Sequence, residues 1–357
     1  MKKLSFIIAA LLLFVGVSLG QTNVANVNES GTGQNASIDQ NGIFNKSYVI
    51  QSNLENTAKI TQINHNAAFS TLSEVNQSGE KNLSTIDQNS NGSLTTNPNV
   101  VGTLKAVTTQ SGNLNKALQV QGPTLTNNQQ GKSLAEIVQS GNENFASQHQ
   151  LRYANDAKIV QSGHRNTAMQ AQDAKILPEE IGSANIAYIE QGGSDNTATQ
   201  TQDGWANDVK AYQAGNGNTS TQIQQDYSWK SKADVHQSGN YNKADQLQVG
   251  NLNSAGINQE SGYNTAKQTQ TALGASRGGT NYDPYNEACI GQKGGDGNIA
   301  EQTQTSPGAG AVENLAQICQ DGALNYATQV QVGGDNSSII SQVGNGNHAV
   351  VTQLMVP

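Results

Sequence analysis

One seven-residue frame, Asn-x-Ala-x-x-x-Gln, recurs 26 times between residues 23 and 353. Its last residue is Gln in every copy except one, at Glu29. Six residues earlier the chain has Asn in 21 of the 26 copies, and four residues earlier it has Ala in 20, Ser in 5 and Val once, at Val209. A polar linker would not keep this register. Numbered from zero, the constrained residues fall at positions 0, 2, 4 and 6, a period of two, which is the mark of a β-strand with one face turned inward.

Position 4 sorts the strands into two alternating kinds. In the first kind it is Ile or Val in 11 of 13 strands; in the second it is Gln in nine consecutive strands, from Gln119 to Gln329. The repeat is therefore two strands, with a minimum length of 22 residues. After first-kind strands Gly sits two residues beyond the closing Gln in 11 of 13 cases, as at Gly79, Gly112, Gly141, Gly163, Gly193, Gly215, Gly239, Gly322 and Gly344. These corners are tight and call for a positive φ, which Gly adopts without a Cβ clash. Extra residues gather after the second-kind strands, so all but one of the insertions lie along one edge, the longest at Asn89–Leu104 and Thr271–Tyr285.

A hairpin meander would set Asn against Gln. A solenoid stacks like on like at each coil, and the alternation at position 4 selects it. The expected fold is all-β: one flattened β-solenoid domain over 21–357, two strands per coil, about 13 coils and roughly 60 Å long at about 4.8 Å per coil. The inward columns are then Asn144, Ala146, Gln148 and Gln150 in one second-kind strand, and Asn155, Ala157, Ile159 and Gln161 in the first-kind strand that follows. Asn166, Ala168, Gln170 and Gln172 come next; Asn253, Ala255, Ile257 and Gln259, then Asn264, Ala266, Gln268 and Gln270, repeat the pattern further on. Asn and Gln side chains are expected to bond along the axis as amide ladders, each donating to one neighbour and accepting from the other. On the outer face, Asp208 and Lys210 are expected beside Lys232 and Asp234 with opposite signs.

Composition agrees with such a thin polar core. Hydrophobic residues make up 34% of the 357 and charged residues 13%, against a usual charged share of about 25%. Disordered chains also have low hydrophobicity, but they carry high net charge or shuffled polar sequence. Here the net charge is -8 and the polar residues are periodic. Lys2 and Lys3 before the apolar run Leu4–Val17, with Ser18 and Gly20 at its end, read as a signal peptide over residues 1–20, cleaved before Gln21. The acidic balance argues against nucleic acid as a partner. The two cysteines, Cys289 and Cys319, form no disulfide framework. They fall on adjacent first-kind strands at outward positions 3 and 5, about 7 to 8 Å apart in ideal register, too far to bond unless the one-residue insertion after Gln292 shifts them.

The frame S/N-x-A-x-I-x-Q-x-G-x-x-N-x-A-x-x-x-Q resembles the curlin repeat of bacterial curli. The stretch from Asn155 to Gln172, NDAKIVQSGHRNTAMQAQ, shows it without interruption, as does Asn253 to Gln270 apart from Ser261 in place of Gly. The resemblance implies a secreted subunit of an extracellular functional amyloid that polymerises into adhesive fibres of biofilm matrix. It also implies two partners, a curli-type outer-membrane secretion channel and a nucleator, with no insertion into the membrane. Curlin subunits are similar but shorter, with about five repeats. They also carry a targeting segment before the repeats, whereas here the frame starts at Asn23, three residues past the expected cleavage site.

Soluble solenoids need polar capping repeats at their ends. Neither end of this frame has room for one, since only Leu354–Pro357 follow the last copy, so uncapped, amyloid-like head-to-tail stacking with further copies is expected. Glu29, the charged exception, either discourages edge pairing or is a neutral substitution. No catalytic residue, metal site or cofactor is expected. Glu74 and Glu136 share an outward column two coils apart, and the histidines at 65, 149, 164, 236 and 348 do not converge. The alternative reading is a monomeric module that binds a polysaccharide or an ice surface through outward threonines at 197, 199, 201, 219 and 221. Lys243, Asp245 and Leu247 interrupt those columns at the next coil.

Overall fold

The two kinds of strand separate into two sheets. The computed structural model describes residues 23–65, 69–90, 102–122, 132–151, 155–173, 185–272, 285–306 and 313–354. Among these, 26 strands run from Val24–Glu29 to His348–Leu354. First-kind strands form one parallel sheet of thirteen, and second-kind strands form another. Each strand pairs with its own kind one coil away, so Ile137, Ile159 and Ile189 stack in register in the first sheet, and Gln148, Gln170 and Gln200 in the second. The chain is a β-solenoid. The signal-peptide expectation at 1–20, and the interiors of the long insertions at 91–101 and 273–284, lie outside the described residues.

Alternation in the sequence becomes alternation in burial. Along Asn185–Gln191 every second residue is buried and those between are exposed or half-buried. Aliphatic residues of the first sheet meet alanines of the second, as Ile137, Ile159 and Ile189 do with Ala146, Ala168 and Ala198. Large faces small, so the two sheets can approach closely. One coil reverses the first-sheet sizes: Val209 and Ala211 stand where others have Ala and Ile, and Ser220 replaces the usual Ala in the second strand of that coil.

Two local features differ from the sequence expectation. Four first-kind strands, Lys132–Asn142, Asn155–His164, Tyr285–Gly294 and Glu313–Gly322, run on to or past the corner glycine. Lys132–Asn142 continues through Gly141, and Ser140, Gly141 and Asn142 pair with Ser162, Gly163 and His164 of the next coil. Corners stack as closely as strands, so their backbone groups bond along the axis too. On the outer face Asp208 does lie beside Lys232 and Lys210 beside Asp234. Within this quartet, however, ion pairs run along each strand: Lys210 Nζ to Asp208 and Lys232 Nζ to Asp234, both at 2.8 Å. Residues two apart share a strand face, and a lysine's flexible stem reaches its own neighbour as readily as the next coil.

Candidate functional site: the amide core and its corners

Glutamine supplies the longest ladders. Closing glutamines of the second sheet form an unbroken chain in which each Nε2 donates to Oε1 of the next coil, from Gln40 to Gln62 at 2.9 Å through Gln150 to Gln172 at 3.0 Å, ending with Gln331 to Gln353 at 2.9 Å. In the first sheet the same ladder runs from Gln51 to Gln342 and includes Gln139 to Gln161 and Gln161 to Gln191, both at 2.8 Å. Gln237 to Gln259 and Gln248 to Gln270 repeat this geometry at 2.8 and 2.9 Å. The second N–H of most of these amides turns to a backbone carbonyl, as Gln150 does to Leu134 O at 2.8 Å. Both donors are thereby satisfied in a buried setting, where an orphan would cost about 1–3 kcal/mol.

The position-4 glutamines form a third ladder, through Gln119, Gln148, Gln170, Gln200, Gln222, Gln246, Gln268, Gln302 and Gln329. Its two ends are closed by residues that break the repeat. Thr108, in place of the usual Ile or Val, donates its hydroxyl to Gln119 Oε1 at 3.1 Å. Ser338, in place of Ala, receives Gln329 Nε2 on its hydroxyl and on its carbonyl. Where position 4 of the second sheet is Ile60 or Ile86, the first sheet of that coil has Ser47 or Ser73. Ser47 Oγ donates to Gln62 Oε1 at 2.7 Å and Ser73 Oγ to Gln88 Oε1 at 2.8 Å. Thr108 and Ser338 sit where the position-4 column changes type, and Ser47 and Ser73 face its aliphatic stretch.

Asparagine joins the expected amide ladder at several coils and also binds the corner backbone. Asn144 Oδ1 accepts the backbone N–H of Asn166 at 3.0 Å, and Asn166 Oδ1 that of Asn196 at 3.0 Å. Asn166 Nδ2 donates to Ser162 O of its own corner at 3.0 Å and to Gly193 O of the next at 3.1 Å. Asn264 likewise accepts from Asn298 N at 2.9 Å. Amide-to-amide bonds occur beside these, as Asn144 to Asn115 at 3.1 Å and Asn286 to Asn253 at 3.0 Å. With one methylene fewer than glutamine, the side chain stays at the corner and binds its backbone. Ala146, Ala157, Ala168, Ala255 and Ala266 are buried between these columns, as are Ile159 and Ile257.

Corner glycines carry two constraints. All nine named above have φ between 87° and 126°. A Cβ on Gly163 would also lie 2.0 Å from Gly193 O of the next coil, and one on Gly141 would lie 2.1 Å from Gly163 O. A second left-handed position, two residues further on, escaped the sequence reading. It holds Leu114, Glu143, Arg165, Asp195, Tyr241 and Tyr263, at φ 53° to 59°. The available signal was Gly33, Gly217 and Gly346 at the same offset. Side chains of this outer column meet between coils: Arg165 grips Asp195 with Nε at 2.7 Å and Nη2 at 2.8 Å, and the rings of Tyr241 and Tyr263 stack at 5.1 Å. The Arg165 hydrogen bond, foremost, holds the Asp195 carboxyl below its ordinary range.

On the first sheet's outer face, Cys289 aligns with Gln317 and Gly291 with Cys319, so the two sulfurs are diagonal neighbours and both are free thiols. Desolvation by surrounding side chains, then the Cys319 thiol and the Glu287 carboxylate, push the Cys289 thiol up. Glu74 and Glu136 stand either side of Val107 and are bound to Lys105 at 3.5 Å and Lys158 at 3.1 Å. Among the described residues no group of three or more His, Cys, Asp or Glu is placed to hold a metal ion. Thr197 and Thr199 lie over Thr219 and Thr221, and Lys243 and Asp245 follow.

Residues 313–343 match the family model of the curlin associated repeat. Over these residues the chain is similar to the curlin repeat. The matched segment spans the strands Glu313–Gly322, Tyr326–Val332 and Asn336–Val343, and its columns, Asn314, Ala316, Ile318 and Gln320, continue in register through the sheets. Compared with curated proteins, the chain as a whole matched none.

Proposed function

We propose that this protein is a secreted structural subunit that assembles head to tail into extracellular, curli-like amyloid fibres, serving cell adhesion and biofilm matrix. The observation that carries this reading is the continuity of ladders and sheets to the outermost described coils. Among the described residues, strand Val24–Glu29 has a neighbour on one side only, as does His348–Leu354, and the closing-glutamine ladders reach Gln342 and Gln353 without a hydroxyl cap. Such edges are templates for further strands. Removal of residues 1–20 at a signal-peptidase site, export through a curli-type channel and seeding by a nucleator belong to the same reading. The curlin repeat match supports it, and the threonine rows, which run at most three coils before Lys243 and Asp245 end them, give no extended flat array for an ice or sugar surface.

The test is electron microscopy and fibre diffraction of freshly prepared protein lacking residues 1–20. Fibres with a meridional reflection near about 4.7 Å are expected. Protein that stays monomeric and gives no such reflection overturns the proposal.

A further inference from the structure

Of the three glutamine ladders, the inner one is closed within the chain by Thr108 and Ser338, but the first-sheet ladder is not. Gln51 donates to Gln77 Oε1 at 2.7 Å, while its own Oε1 is fully buried and has no partner among the described residues. The residue stacked on it is Glu29. A glutamine there would donate an N–H to that oxygen, as every later coil does. An ionised carboxylate has no proton to give and sets oxygen against oxygen. At the far end Gln342 accepts from Gln320 at 2.8 Å and gives one N–H to Tyr326 O at 2.9 Å. In earlier coils the other N–H goes to the next coil's glutamine, and among the described residues Gln342 has no next coil.

The second sheet's exceptions point to the same junction. Its position 4 reads Ile38, Ile60 and Ile86, then nine glutamines, then Val351. Placing the last coil of one copy on the first coil of the next makes Val351, Ile38, Ile60 and Ile86 one unbroken aliphatic column. It also sets Ile340 over Val27 and Gln353 over Gln40. A shift of two residues along the second sheet puts Val351 over Gln40 or Gln353 over Ile38, an aliphatic side chain against an amide.

We propose that residues 336–354 of one copy dock in register on residues 23–40 of the next, with a neutral Glu29 completing the ladder between them. The protonated carboxyl donates its O–H to Gln51 Oε1, and its other oxygen accepts Nε2 of Gln342 from the preceding copy. This rests on the fibre reading above and adds its register and a proton taken up at each junction. No covalent bond changes. Other titratable groups on the packed elements are Lys46 and Tyr48 on the paired strand, Glu55 at the next corner, Asp39 on the facing strand, and His348 of the preceding copy. The docking segment 336–347 contributes none. Docking favours the protonated form, so it is fully favoured below the pH where a free glutamate ionises, about 4.3. It weakens as pH rises, with a critical concentration that climbs by up to about tenfold per pH unit.

The test measures critical concentration from about pH 4 to pH 8 for the chain lacking residues 1–20, for Glu29→Gln, and for Glu301→Gln on the outer face of an interior coil. Glu29→Gln is expected to assemble at neutral pH at a lower concentration than the natural chain, with a pH slope smaller by about one proton per junction. Glu301→Gln should keep the natural slope. Fibres from both the natural chain and Glu29→Gln with equal slopes overturn the junction but leave the fibre reading standing. Absence of fibres from every variant at every pH overturns both.

Discussion

Replacing Gln170 by leucine removes three buried hydrogen bonds at once. Its Oε1 accepts from Gln148 Nε2 at 3.0 Å, and its Nε2 donates to Lys158 O at 3.1 Å and to Gln200 Oε1 at 3.0 Å. Leucine leaves all three partners facing an apolar side chain. At about 1–2 kcal/mol for each orphaned group the loss is about 3–6 kcal/mol, offset by about 1–2 kcal/mol from greater apolar burial. A net loss of about 3 kcal/mol follows from those two terms. The double variant Gln148→Leu with Gln170→Leu should cost less than the sum of the singles, because the bond between the two residues is counted twice in that sum. Gln119→Leu should cost less than Gln170→Leu, since one partner there is the Thr108 hydroxyl, which can rotate away. Urea unfolding of soluble chain gives the free energies, and hydrogen exchange in the flanking coils gives the local effect. A Gln170→Leu variant as stable as the natural protein, or strict additivity in the double variant, would refute the claim that amide ladders hold this core.

Gly163→Ala and Gly344→Ala separate the two constraints on a corner glycine. Both have φ near 100°, but a Cβ on Gly163 meets Gly193 O at 2.0 Å, whereas on Gly344 the nearest atom is 3.8 Å away. Gly344→Ala should therefore cost only the left-handed penalty of about 1–2 kcal/mol in the soluble chain yet stop fibre growth at that end, while Gly163→Ala should unfold its coils; thermal melts and growth assays read the two effects. Ser220→Ala should stabilise by about 1 kcal/mol, because the Ser220 hydroxyl is buried without a partner between Ala198 and Ala244; a lower urea midpoint would contradict this. The Asp195 carboxyl, lowered chiefly by the Arg165 hydrogen bond, adds stability that is present above the ordinary aspartate range and lost as pH falls through its lowered value. NMR titration should find Asp195 below a free aspartate, and Arg165→Ala should return it to the ordinary range.

The fold was legible because it is written many times over. A single Asn-x-Ala-x-x-x-Gln is weak, but 26 copies in two alternating kinds leave no other way to keep Ile137, Ile159 and Ile189 together. The ladders follow from the same counting, since a column of identical amides can satisfy itself only along the axis. What could not be counted was hidden in the exceptions. Thr108 and Ser338 depart from consensus, and only the facing sheet shows that they close the glutamine column between them. Asparagine's preference for corner backbone depends on side-chain length against a corner whose shape the sequence does not state. Left-handed residues such as Leu114 and Tyr263 bear no conformational label of their own; the stacked corner imposes it.

The most direct test of whole solenoids adding end to end is the axial repeat of the assembled fibre, measured by electron cryomicroscopy. Thirteen strands per sheet at about 4.8 Å each predict a subunit repeat of about 60 Å, with Val351 of one copy over Ile38 of the next. A fibre with the strand spacing alone and no longer axial period, or with a period that does not hold thirteen coils, would contradict the account.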